Sequence, residues 1–162
     1  MQKRRCYSIF LVIVIGVSAF VGWQSKTIGI WFSMRANLEK NLPVMCHVTD
    51  SQSTQGFGGD GEVYAMISYW GEVSLEEWET EASNVRGMKL IQKYGTDSLD
   101  EITIEKINDS LKEIRPDFLE SVSYSEWFQM EKYYENNETI RDICYVLNDT
   151  KEHKLYVIMN FM

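Results

Sequence analysis

With 162 residues, 44% of them apolar and 13% aromatic, the chain has material for one packed core and too little length for two ordinary domains, and wholesale disorder is excluded. The first 23 residues hold Lys3, Arg4 and Arg5 and no acid, so the remainder carries 13 basic against 24 acidic side chains, a formal charge of −11. That balance excludes nucleic acid as a natural partner.

MQKRR is followed by an uncharged, mostly apolar run from Cys6 to Trp23. As a helix it spans about 27 Å, close to the roughly 30 Å of a bilayer's hydrocarbon core. Basic residues before it place the amino terminus in the cytoplasm and the rest of the chain outside the cell. Val17-Ser18-Ala19 also suits cleavage of a signal peptide, but the apolar run continues through Phe20, Val21 and Trp23, which favours a retained anchor. The expected organisation is therefore a membrane anchor over residues 1–24 and an extracytoplasmic acidic domain over 25–162.

Ile28, Trp31, Phe32, Arg35, Leu38 and Leu42 recur at helical spacing, and Pro43 stops that element. Residues 44–49 read as a short strand, 50–61 as a loop rich in Gly, Ser and Gln, and 62–70 as a second strand. Ser74-Leu75-Glu76-Glu77 matches a capping box, predicting a helix with Leu75, Trp78 and Ala82 on one face and its glutamates in solvent. Residues 88–94 are a third strand. Ile104, Ile107, Leu111 and Ile114 give a helix that Pro116 ends. Three alternating runs, 122–134, 140–148 and 154–162, separated by turn-forming residues, predict an antiparallel meander. The fold class is α+β, with helices packed on a sheet.

Residues that could do chemistry are few. His47 and His153 are the only histidines, and neither belongs to a spaced ligand set. Residues 56–61, GFGGDG, lack the lysine and following helix of a phosphate-binding loop, and 50–62 lack the inner acids of a calcium loop. No catalytic residue, metal or cofactor is expected, and the chain reads as a binding protein and not an enzyme. Cys46 and Cys144 either bridge in an oxidising compartment or remain separate thiols. Asn108, Asn137 and Asn148 lie in glycosylation sequons.

Between Lys40 and Arg86 there is no Lys or Arg, while Asp50, Asp60, Glu62, Glu72, Glu76, Glu77, Glu79 and Glu81 contribute eight acids. Such a band keeps an exported domain soluble. With Trp70 and Trp78 inside it, the band also has the composition of a surface for a basic protein, with charge steering the approach and an aromatic as anchor. The candidate partner-binding residues are Asp60, Glu62, Trp70, Glu72, Glu76, Glu77, Trp78, Glu79 and Glu81.

A basic start, one span and a small acidic α+β domain, with 74-SLEEWETEASNVRGMKL-90 at its centre, resembles the TipC-type immunity proteins of Gram-positive bacteria. The resemblance implies a protein at the outer face of the membrane. It would occlude a toxin exported by the type VII secretion system, one that attacks a lipid-linked cell-wall precursor. The alternative is an anchored sensory or envelope domain that binds a small ligand or peptide, in a pocket lined by Tyr64, Tyr69 and Trp70 and lidded by the loop 50–61.

Overall fold

A computed structural model describes residues 12–19, 21–22, 24–25, 27–30, 32, 43, 45–54, 61–78, 88–134 and 140–161. It is a small α+β domain built on one antiparallel sheet of six strands. In chain order these are β1 (Cys46–Ser53), β2 (Gly61–Tyr69), β3 (Met88–Gly95), β4 (Glu126–Tyr134), β5 (Ile140–Asp149) and β6 (Lys154–Phe161). Two helices, α1 (Glu101–Leu111) and α2 (Phe118–Ser121), lie between β3 and β4.

The strand order is β1-β2-β6-β5-β4-β3. The expected meander of β4, β5 and β6 forms the centre, each strand pairing antiparallel with the next in the chain. The hairpin of β1 and β2 adds to one side, and β3 closes the other by pairing with β4. A register shift between Val48 and Asp50 marks a bulge in β1.

Both faces of the sheet are covered, which explains why the central strands read as nearly continuous apolar runs. On one face Tyr64, Ile143, Tyr145, Leu147, Tyr156 and Ile158 meet Ile107 and Leu111 of α1 and Phe118 of α2. Phe118 stands edge-on to Tyr64 and Tyr156, with ring centroids 5.5 and 5.7 Å away. On the other face Val63, Ala65, Ile67, Val146, Leu155, Val157 and Met159 pack with Ile30 and Leu75. Each such fully buried aliphatic side chain is worth about 1.5–3 kcal/mol.

Helix α1 begins where Asp100 accepts a hydrogen bond from Thr103 N at 2.7 Å, an N-cap. It ends at Leu111, earlier than the apolar spacing through Ile114 suggests. Ile114 N and Arg115 N both donate to Leu111 O, and Pro116 bars Arg115 from continuing the helix. Residues 118–121, just before the expected strand 122–134, form α2, and β4 starts only at Glu126.

Two further expectations are corrected. Residues 50–53 are strand and not loop, because Asp50 to Ser53 pair with Met66 to Val63; residues 55–60 lie outside the described part. The helix expected from Ser74 is a single 3-10 turn, Glu76–Trp78, over the described residues. Leu75 N, which a helix would leave near its first turn, is instead bound by Glu126 Oε2 at 3.2 Å. Residues 79–87 lie outside the described part.

Residues 12–19, 21–22, 24–25, 27–30 and 32 are helical. Among the described residues no helix is long and apolar enough to cross a membrane; the expected span begins at Cys6, and residues 1–11 lie outside the described part. Val12, Ile13, Ile15 and Val17 are exposed. Thr27 and Ile30 are buried against the sheet, where Thr27 Oγ1 accepts from Val48 N at 2.9 Å.

Candidate functional site

A cleft of about 600 Å³ opens where the start of β1, the end of β2, the 76–78 turn and the β5–β6 turn meet. Its walls include Met45, Tyr69, Trp70, Glu72, Glu77, Trp78 and His153, and among the described residues no Lys or Arg lines it.

Local backbone chemistry puts these groups there. Trp70 N donates to Met45 O at 2.9 Å, extending the β1–β2 pairing by one step. Gly71 then turns the chain at φ +92°, a left-handed conformation that glycine adopts without a Cβ penalty. The reversal leaves the Trp70 indole 62% exposed, an unusual state for so large an apolar group.

The segment after Gly71 is pinned from beneath. Asn148, wholly buried, donates from Nδ2 to Val73 O at 3.2 Å and to Glu126 Oε1 at 2.5 Å, and its Oδ1 accepts from Tyr69 Oη at 2.8 Å. Glu126 is buried too, and its second oxygen accepts from Leu75 N. Leu75 is fully buried in the core, and Trp78 N closes the turn on Leu75 O at 3.0 Å. Trp78 is half-buried, its ring edge-on to Phe128 at 5.8 Å, so it contributes to both core and cleft.

The opposite wall is the β5–β6 turn. Asp149 Oδ1 accepts from Lys151 N and Glu152 N, each at 3.1 Å, and the Ser123 hydroxyl donates to Oδ2. Burial pushes the Asp149 carboxyl up, but these three donors outweigh it and hold the group below its ordinary range. His153 occupies the left-handed region at φ 53°, with its ring edge-on to Tyr69 at 5.4 Å.

The acidic band is divided by the fold. Glu72 and Glu77 line the cleft with Trp70, Glu76 is exposed beside them in the chain, and no ion pair among the described residues engages the three. Glu62 sits at the other end of β2, eight positions from Trp70 and so about 26 Å away. Burial and then the nearby Glu113 push its carboxyl up. Asp50 is paired with Arg115 at 2.9 Å. The sequence sees neither fact, because the neutralising guanidinium lies 65 positions downstream. Asp60, Glu79 and Glu81 lie outside the described residues.

The aromatic pocket expected for a ligand-binding domain is also split. Tyr69 and Trp70 line the cleft, but Tyr64 faces the helices, where Arg115 Nη1 donates to its hydroxyl at 3.2 Å and the guanidinium lies over the ring at 5.0 Å. Burial drives the Tyr64 phenol up to about 12.

A second polar group, missed in the sequence, lies under α1. Lys106 Nζ donates to Glu131 Oε1 at 3.0 Å, joined by Gln129 Nε2 at 2.6 Å and the Tyr133 hydroxyl. Burial raises the Glu131 carboxyl, yet the Tyr133, Lys106 and Gln129 bonds outweigh that and hold it low. Its alternation with apolar neighbours made β4 look like an ordinary one-sided strand.

Cys46 and Cys144 are both free. Two strands separate β1 from β5, and Cys144 pairs through Met159 and Val63 to Ser53, whereas Cys46 is level with Tyr69. The resulting offset, about 20 Å along the strands alone, exceeds any disulfide's reach. The bridging alternative is thus overturned. Asn148 is no glycan acceptor in the folded domain, since its amide is buried and bonded, while Asn108 is exposed on α1.

Among the described residues no group of three or more His, Cys, Asp or Glu side chains could hold a metal ion. Ser74, Thr150 and His153 line the cleft, and among the described residues no hydrogen bond joins either hydroxyl to the imidazole. What the cleft offers is aromatic surface with negative charge. No protein-family model matches the chain, and neither a curated protein nor a solved structure does.

Proposed function

We propose that this chain is a membrane-anchored extracytoplasmic binding protein that captures a basic partner protein at the end of the sheet bearing Trp70, acting as an immunity protein that occludes a secreted antibacterial toxin. The observation that carries this reading is the 62% exposed Trp70 beside the exposed carboxylates Glu72 and Glu77 in a cleft that no Lys or Arg lines among the described residues, with Glu76 exposed next to them in the chain. An amphipathic aromatic supplies contact area at low entropic cost, and like charges around it steer a cationic surface and reject an anionic one. Neutralisation by occupancy needs no turnover.

The anchor is supported by the uncharged run from Cys6 to Trp23 and by exposed Val12, Ile13, Ile15 and Val17 on its helical residues, a surface that lipid would cover. Lys3, Arg4 and Arg5 orient it with the domain outside.

On this reading a large secreted protein is expected to be encoded beside this chain's gene, and the test is calorimetric titration of the chain with that protein. Nanomolar binding that weakens with salt is expected, abolished when Glu72, Glu76 and Glu77 are all changed to Lys. Undiminished binding by that triple variant would reduce the acids to a solubilising face.

The cleft itself favours a second reading, a sensory or envelope domain that binds a small ligand or peptide, because its volume and its Tyr69 and Trp70 walls suit one. Ligand binding without any macromolecular partner, read by Trp fluorescence, would distinguish it.

A further inference from the structure

We infer that the cleft between Trp70 and the Glu72–Trp78 segment is a socket for a single cationic side chain of the partner, an arginine, stacked on the Trp70 indole and paired with the Glu72 and Glu77 carboxylates. This deepens the capture of a basic protein proposed above and rests on it.

Three features lead there. The first is shape: the basic partner meets a concavity of about 600 Å³ and not a flat acidic patch, so part of it must enter. The second is chemistry. An aromatic face attracts a cation through its quadrupole, and the attraction grows when the ion is partly desolvated, as it would be below the rim. Carboxylates on the same walls accept the planar guanidinium's forked donors, which an ammonium presents only as a point charge. Met45 and the half-buried Trp78 give the aliphatic stem of the entering residue an apolar lining.

The third is rigidity. The wall carrying Glu72 and Glu77 is tied to the sheet at Val73 O by Asn148 and at Leu75 N by Glu126, and anchored by the Leu75 side chain. A carboxylate held on a pinned loop loses little freedom on binding, so more of the contact energy appears as affinity. Opposite, Asp149 Oδ1 holds the backbone N–H groups of Lys151 and Glu152, and His153 O accepts from Tyr69 N at 3.0 Å.

The experiment uses the full chain in detergent micelles, with isothermal titration calorimetry as readout. The probe is a short glycine peptide carrying arginines, compared with its citrulline counterpart, which has the same shape without the charge. Saturable binding of the arginine peptide at low ionic strength is expected, with no response to citrulline. Both Trp70→Ala and the double variant Glu72→Gln/Glu77→Gln should weaken it about tenfold or more, while a lysine peptide should bind less tightly than arginine. Equal binding of arginine and citrulline peptides, or variants indistinguishable from the parent, would overturn the socket. If the secreted protein binds tightly while the arginine peptide does not, and Trp70→Ala leaves that binding intact, the socket falls but capture survives. If the peptide binds as described and the secreted protein does not, the socket stands and the immunity reading falls.

Discussion

The Tyr69 hydroxyl donates to Asn148 Oδ1 at 2.8 Å across the width of β6, joining the edge of the cleft to the centre of the sheet. Through its amide nitrogen the same Asn148 reaches Val73 O and Glu126. One buried side chain thus satisfies a phenol, a carboxylate and a loop carbonyl. Replacing Asn148 with Ala leaves the buried Glu126 Oε1, Val73 O and the Tyr69 hydroxyl without their shared partner, at a cost of about 2–3 kcal/mol, whereas Tyr69→Phe removes one bond for about 1 kcal/mol. Urea unfolding should rank the variants in that order. Equal losses would mean that the asparagine does not hold the network together.

Stability should fall on acidification, and Glu131 should lead the fall. Its folded carboxyl is held below the ordinary value, so its contribution is complete above about pH 4.3 and is lost as pH drops through the folded value. Asp149 and Asp100 are also held low, by Ser123 and backbone N–H groups and by Thr103 respectively, and act in the same direction. Glu62 opposes them, because a raised carboxyl favours the folded state once protonated. Three against one predicts a urea midpoint nearly flat from pH 7 to about 5 and declining below about 4.3. Glu131→Gln should flatten part of that decline. A midpoint that rises as pH falls from 5 to 3 would reverse the assignment.

The thiols should stay reduced and react in a fixed order. Burial pushes both Cys46 and Cys144 up, Cys144 further, and only Cys46 is partly exposed. Under native conditions a maleimide should label Cys46 slowly and Cys144 only after unfolding. Mild oxidation should give no bond between them. A Cys46–Cys144 crosslink in the folded protein, seen by mass spectrometry, would contradict the strand order.

The strands were legible because their alternation and β-branched content survive even where both faces are buried; runs such as 154–161 can be nothing else at that length. The order of strands was not, since pairing of β2 with β6 and of β3 with β4 joins residues far apart in sequence. Site legibility follows the same division. Trp70, Glu72, Glu76 and Glu77 could be grouped from the sequence because they are neighbours in the chain. Glu62 stands apart from them because strand direction, invisible in composition, carries it to the far end of β2, and Asp50 because Arg115 neutralises it midway along β1. Ser74 looked like a cap by local spacing, yet the Leu75 N–H was bound by Glu126, about fifty positions away. Asn148 and Tyr145 lie in an ordinary apolar run, and nothing local marks the one as a hub and the other as core.

The helical residues that follow the expected anchor are part of the domain's fold and not a tether. Thr27 is buried with its hydroxyl on Val48 N, and Ile30 seals the same face of the sheet. Only three residues separate Trp23 from Thr27, about one helical turn, so a domain on such an anchor sits directly at the lipid surface. Thr27→Val keeps the shape but leaves the Val48 N–H buried without an acceptor, which should cost about 1–3 kcal/mol, and Thr27→Ser should restore most of it. Deleting residues 1–30 uncovers the core where Ile30 lay and should cost about 2–5 kcal/mol. Both losses are measurable by urea unfolding of the full chain in micelles beside the shortened one. A shortened chain as stable as the parent, with Thr27→Val silent, would detach residues 27–30 from the fold.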